Sequence, residues 1–375
     1  MRILIYGAGV IGEKSMKNEE YKKLSIKEFT KAAGRYESSH AGIYEMCKKD
    51  YPDILEELEK EPFRDLLDAG CGPAPMISLL AEKYPEAQIV GNAKTFNMIP
   101  QFFAFDLEGR KVVVKEGDTL SLGSHTLQFV MAPMVHWPEV MVAYETSEKI
   151  LFSADGFGKF GALDADEDWA CEARRYYFNI CGKYGVQVQN LLKKAAGLDI
   201  EIICPLHGPI LKENLGYYIG LYDTWSKYEP EDKGILIAYA SIHGNTAAAA
   251  KKLAEILEAK GAPKVVVADL SRDDMAEVIE DAFRYDRLVL AAATYDAGIF
   301  PCMEDFLHHL KAKNYQKRKV AFMENGSWAP MAAKIMKGIV EGFKNIEIVD
   351  PVVTIKSTMN DENVKTMEEL ADNLL

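Results

Sequence analysis

Two groups of residues in this 375-residue chain are of types and spacings that could do chemistry. The first is Ser241-Ile242-His243-Gly244-Asn245-Thr246, set between an apolar stretch, Gly234 to Ala240, and a helix-patterned one, Ala247 to Lys260. A strand that opens through such a loop into a helix aims free backbone N–H groups and the positive helix end at one point, which suits an anion. No lysine stands where a triphosphate loop has its Gly-Lys-Ser/Thr, so a phosphate monoester is the better fit. An ordinary capped turn would use the same residue types, and the loop alone does not separate the two. The second group is His136 in Met134-Val135-His136-Trp137-Pro138-Glu139, Asp155 in Ser153-Ala154-Asp155-Gly156-Phe157-Gly158, and His207 in Pro205-Leu206-His207-Gly208-Pro209. Each follows an apolar strand, and imidazole with carboxylate suits iron, zinc or manganese. Singly, each would serve equally well as a hydrogen-bonded loop residue.

Two further loops sharpen the first reading. Arg287 to Ala293 is an apolar strand followed by Thr294-Tyr295-Asp296-Ala297-Gly298; Lys319 to Glu324 is another, followed by Asn325-Gly326-Ser327-Trp328-Ala329-Pro330. Loops at the carboxyl ends of parallel strands are where an open α/β sheet binds its ligand. Tyr295 and Trp328 can stack on a flat ring. A phosphate cradle flanked by two aromatic loops suits flavin mononucleotide (FMN). These residues resemble a flavodoxin-type domain. The resemblance implies that Ser241 to Thr246 hold the phosphate while Thr294, Tyr295, Asp296, Gly298, Asn325, Gly326, Ser327 and Trp328 flank the isoalloxazine. The carboxylate of Asp296 beside the flavin predicts a lowered potential for the second electron.

The elements that must position these loops are legible. Strands at 234–240, 264–269, 287–293, 319–324 and 346–353 alternate with helices at 246–260, 272–283, 302–313, 329–343 and 360–374, a complete doubly wound parallel sheet. Upstream, Lys111 to Lys115, Thr119 to Leu122, His125 to Val130, Val140 to Tyr144 and Lys149 to Phe152 read as short strands of an antiparallel region separated by Gly-rich turns. Residues 1–84 are mostly helical in pattern (21–31, 40–47, 51–60) and carry two glycine motifs. Gly7-Ala8-Gly9-Val10-Ile11-Gly12 resembles a Rossmann dinucleotide opening, but no second strand with its acidic residue follows. Asp68-Ala69-Gly70-Cys71-Gly72 resembles the first motif of class I S-adenosylmethionine-dependent methyltransferases, and after Gln88 to Val90 the chain has Gly91-Asn92-Ala93-Lys94 where that family places its acid.

The strand-end residues His136, Asp155 and His207 ahead of a flavodoxin-like domain make residues 85–375 resemble a flavodiiron protein (A-type flavoprotein). That implies an α/β chain: a partial metallo-β-lactamase-like α+β domain at 85–230, a flavodoxin-like domain at 231–375, and a chimeric segment at 1–84. It further implies electrons passing from a donor such as rubredoxin or a reductase through FMN to a di-iron site that reduces O2 or NO, in a head-to-tail homodimer. By carry-over His136 ligates one iron, Asp155 bridges and His207 ligates the other; Tyr176 and Tyr177 are candidate proton donors. The family's His-x-Glu-x-Asp-His stretch has no counterpart in residues 1–135. Di-iron carboxylate sites use about six protein groups. The metal site is therefore expected to be incomplete, and exposed sheet edges are expected where the opening strands are missing.

Composition bounds the alternatives. A net charge of -13 argues against nucleic acid, which requires a basic surplus. The six cysteines (47, 71, 171, 181, 204, 302) form no Cys-x-x-Cys pair, so the expectation is a cytoplasmic protein with an external reductant. The apolar start, Ile3 to Ile11, is too short to span a bilayer. The competing readings are an FMN electron carrier without gas reduction, and a methyltransferase.

Overall fold

The structure, a computed structural model, describes residues 2–6, 10–11, 56, 65–69, 80–102, 106–161 and 167–375, with 2–6, 10–11, 65–69 and 102 described by their backbone alone. The helices expected at 21–31 and 40–47 and both glycine motifs beyond their strands lie outside these residues. The chain divides into two compact units, 1–173 with 186–220, and 174–185 with 221–375. No helix among the described residues is long and apolar enough to cross a membrane.

The described residues of the first unit form two sheets. In one, β1 (Arg2–Tyr6) pairs in parallel with β3 (Asp65–Ala69) on one side and β4 (Gln88–Gly91) on the other, β2 (Val10–Ile11) runs antiparallel to β3, and β5 (Lys111–Val113) is parallel to β4. The strand at Arg2–Tyr6 takes its parallel partners from far along the chain, at 65–69 and 88–91. One sequence expectation is corrected here. The stretch at 111–115 does not open the antiparallel region; helix α1 (Ala93–Phe102) supplies the crossover that brings 111–113 back parallel to β4. Arg110 secures this return, its guanidinium donating to the carbonyls of Ala81, Tyr84 and Ala87.

The second sheet has the order β10-β9-β8-β7-β6, from β6 (Thr119–Ser121), β7 (Thr126–Met131), β8 (Met141–Glu145), β9 (Ile150–Phe152) and β10 (Ile202–Cys204). It is antiparallel except for the β9–β10 pair. The alternation in Thr126–Met131 buries Leu127, Phe129 and Val130, and β8 is buried throughout. Helices α2 (Trp169–Tyr176) and α3 (Gly185–Ala195) are joined through a π-helical turn (Tyr177–Cys181) and a 3-10 turn (Gly182–Tyr184), and the chain passes into the second unit within α4 (Leu215–Ser226).

The second unit is built on a parallel sheet of order β12-β11-β13-β15-β16, from β11 (Asp232–Ala240), β12 (Val265–Asp269), β13 (Tyr285–Tyr295), β15 (Lys319–Asn325) and β16 (Glu347–Ile355). Helices α5 (Asn245–Ala259), α6 (Met275–Arg284), α7 (Pro301–Ala312), α8 (Ala332–Val340) and α9 (Asp361–Leu374) cover it. The run Gly234 to Ala240 is buried at every position, as a strand covered on both faces requires. One face packs Ile235, Ile237 and Val289 against Leu253, Leu257, Met367 and Leu370 of α5 and α9. Residues 174–185 belong to this unit: the ring of Phe178 stacks on Phe283 at 4.1 Å, and Arg174 lies between Glu231 and Glu280.

Candidate functional site

Three neighbouring parallel strands bring the flavin-loop residues to one sheet edge. Ala240 at the end of β11 lies opposite Ala292 of β13, and Ala293 opposite Asn325 at the end of β15. The loops after these strands therefore leave the sheet side by side. In the first, the backbone turns at Gly244, whose φ of 85° lies in the left-handed region that favours glycine. Gly244 donates its N–H to the Ser241 hydroxyl at 3.1 Å, and α5 begins at Asn245 with no side chain capping it. Two other helices of this unit fill that position, Asp274 accepting from Ala276 N–H at the start of α6 and Asn360 with Asn363 making a capping box at α9, while α7 and α8 have no N-cap side-chain bond of their own. The bare end of α5, with Ile242, His243 and Gly244 exposed beside it, offers unpaired donors and a positive dipole end. A phosphate fits the chemistry of that donor set.

The second loop is tighter than its sequence suggests. Tyr295 pairs antiparallel with Gly298 of β14 (Gly298–Ile299), so Asp296 and Ala297 form a two-residue hairpin turn with φ of 48° and 58°. Asp in the left-handed region is a turn signal, but Ala is not, which hid the strand from pattern reading. Thr294 is half-buried, whereas Tyr295 is exposed with its ring edge-on to Phe300. In the third loop Asn325 is buried and fastened to Ser357, donating from Nδ2 to the Ser357 carbonyl and accepting from its N–H. Ser327 and Ser357 share a hydroxyl hydrogen bond of 2.7 Å, and Trp328 is 90% exposed. An aromatic ring held on a fastened loop and left in solvent suits a planar ligand.

The histidine and carboxylate residues also converge, within the first unit. The Nε2 of His136 lies 3.3 Å from Asp155 Oδ2, and the Nε2 of His207 lies 3.7 Å from Asp155 Oδ1. One carboxylate thus turns a different oxygen to each imidazole, as a bridging ligand would. His207 Nδ1 lies 3.0 Å from the Lys159 carbonyl, which places the proton on Nδ1 and leaves Nε2 as the donor atom. Burial lowers the pKa of His136, against the opposing pull of Asp155, which favours the neutral, ligating form.

Several supporting residues were not predicted. Gly158 leaves the space in which His207 sits, since a Cβ there would meet the imidazole at 2.6 Å. Asn92 caps α1 and donates to the Glu139 carbonyl at 2.6 Å, tying the His136 loop to β4. Glu139 holds a buried Oε2 with no hydrogen-bond partner, and burial raises its pKa. Gly158 and Glu139 both stood in the quoted motifs; Asn92 lies in Gly91-Asn92-Ala93-Lys94, far from them in sequence, and carried no such signal. The ring of Tyr177 is enclosed by Phe178, Tyr222 and Trp225 within the second unit.

The described donors fall short of a two-metal site. Among the described residues no group of three or more His, Cys, Asp or Glu side chains is placed to hold an ion. Asp155, His136 and His207 fit a bridge with one imidazole on each side, and about six groups are needed.

Comparison with known proteins agrees with both halves. Residues 74–208 match the ODP family beta lactamase model and residues 236–343 the flavodoxin domain model. A nitric oxide reductase of Moorella thermoacetica is 28% identical over 348 residues, covering 88% of this chain and 84% of that protein. An anaerobic nitric oxide reductase flavorubredoxin of Escherichia coli is 27% identical over 229 residues, 58% of this chain and 47% of its own; the chain spans about half of that relative. A flavo di-iron protein variant from Thermotoga maritima superposes with a TM-score of 0.75 at 23% identity, covering 87% of this chain and 83% of that one, a likeness of fold.

Proposed function

We infer that the chain belongs to the flavodiiron proteins, a partial β-lactamase-like domain followed by a flavodoxin-like one, and that it is an FMN-dependent oxidoreductase. The observation that carries this is the juxtaposition of the bare α5 start with the Tyr295 and Trp328 loops on adjacent parallel strands. Ser241 to Thr246 would hold the phosphate through backbone N–H groups and hydroxyls. Tyr295 and Trp328 would flank the ring system, with Asp296 close to it. When bound, FMN supplies one- and two-electron transfer between a donor and an acceptor. The donor is an external protein such as a rubredoxin or a reductase, the acceptor in the complete family chemistry is a di-iron centre reducing O2 or NO, and the working form is a head-to-tail homodimer in the cytoplasm.

His136, Asp155 and His207 are the residues of this chain that would meet that metal. Their number favours a second reading, an FMN electron carrier whose metal centre is incomplete and whose gas reduction is lost. Purified protein loaded with FMN and ferrous iron separates the readings. A flavin spectrum with two tightly held irons per chain and consumption of O2 or NO supports the full oxidoreductase. A flavin spectrum with fewer irons and no gas consumption supports the carrier, and a colourless protein that takes up no FMN overturns both.

A further inference from the structure

The loop between β15 and α8 is closed by side chains from its neighbours. The Thr294 hydroxyl oxygen accepts from the N–H groups of Met331 at 2.9 Å and Ala332 at 3.3 Å. Glu324 Oε2 accepts from Ala333 N–H at 2.9 Å, while its other oxygen accepts from the Thr354 hydroxyl. Three successive N–H groups at the start of α8 are thus satisfied by side chains, the reverse of the bare end of α5. Gly326 packs into the same knot: a Cβ there would stand 3.1 Å from the Thr294 hydroxyl and 2.8 Å from Pro330 Cα. The span from Asn325 to Pro330 is therefore pinned at one end by Ser357 and at the other by Thr294 and Glu324, with Trp328 in between. A hydroxyl has two lone pairs, and both of Thr294's are engaged, so it has no acceptor capacity left for a ligand.

We propose that Thr294 is a positioning residue that couples the second loop to the third and acts on flavin through Trp328, its oxygen accepting from the α8 N–H groups and not from the ligand. Thr294 adjoins Tyr295 in the chain, so its bonds to Met331 and Ala332 fix the separation of the two aromatic loops. The inference rests on the flavin reading of this site. Deleting the hydroxyl without changing shape, as in Thr294→Val, frees two N–H groups and releases the third loop.

The test is FMN titration of the full-length apoprotein, followed by flavin fluorescence, with thermal unfolding of each apo variant recorded alongside. Thr294→Val is expected to weaken FMN binding about tenfold, the size of one to two hydrogen bonds, and Thr294→Ser to bind as the parent does. In a Trp328→Ala background Thr294→Val should add nothing, because the two act in one series. Equal binding by Thr294→Val and the parent, failure of Thr294→Ser to rescue, or additive losses with Trp328→Ala would overturn the proposal. Should Thr294→Val not fold, Gly326→Ala presses on the same hydroxyl and is expected to show the same loss and the same non-additivity. A parent protein that binds no FMN defeats the flavin reading itself, a distinct result.

Discussion

At the residue scale, the chemistry-bearing positions were legible as types, but what each does was not. Ser241, Gly244, Tyr295 and Trp328 announced themselves through side-chain type beside strand ends. The work of Thr294, Glu324 and Gly158 lies in hydrogen bonds and spaces between segments distant in sequence, which no local pattern encodes. Asp296 shows how structure turns a sequence guess into a clean experiment. It sits in a hairpin turn at φ 48°, a conformation that asparagine tolerates at least as well. Asp296→Asn therefore removes a charge without disturbing the turn. A carboxylate near the ring opposes added negative charge on the flavin, so the substitution is expected to raise the potential of the second electron. Redox titration checks this, and an unchanged potential would refute it. The effect should shrink at high salt, because Asp296 is exposed.

At the element scale, the parallel sheet was recovered nearly strand for strand because continuous apolar runs and helix periods agree with each other there. The β14 hairpin and the parallel seat of 111–113 were missed, the first for an alanine in a glycine-type turn, the second because pairing partners lie outside any local window. Helix α6 carries a titratable group whose behaviour follows from its packing. Glu280 is buried against Arg174, which also pairs with both oxygens of Glu231, so one guanidinium faces two carboxylates. Burial pushes the Glu280 carboxyl up to about 7, against the pull of Arg174. A carboxyl raised in the folded state keeps a proton that the unfolded chain has lost. Its contribution to stability is fully present below the unfolded pKa near 4.5 and is lost as pH rises to about 7. Melting temperatures measured from pH 5 to 8 should fall along this window, and Glu280→Gln should remove that part of the slope. A slope of the same size in the variant would show that another group is responsible.

At the scale of the whole molecule, the chain crosses between its two compact units more than once, since residues 174–185 belong with 221–375 while 186–220 belong with the first unit. The sequence alone places its boundary at 231, because the helical pattern of residues 174–185 reads the same in either unit. The C-terminal sheet cut at 221 would lose the Phe178 stack on Phe283, the Arg174 clamp and the bond from Lys313 to the Asn179 carbonyl. A fragment of residues 221–375 is therefore expected to melt well below one of 174–375, and equal melting temperatures would contradict the assignment. The same arrangement sets a timetable during synthesis. Tyr177 and Phe178 leave the ribosome roughly a hundred residues before Phe283, an interval of about 5–20 s at ordinary elongation rates. Throughout it, a strongly apolar turn must wait for neighbours that do not yet exist while the chain on either side is already free to collapse. Nascent copies of this protein should thus depend on a chaperone that shields that turn, and yield in a cell should respond to translation speed between codons 186 and 283.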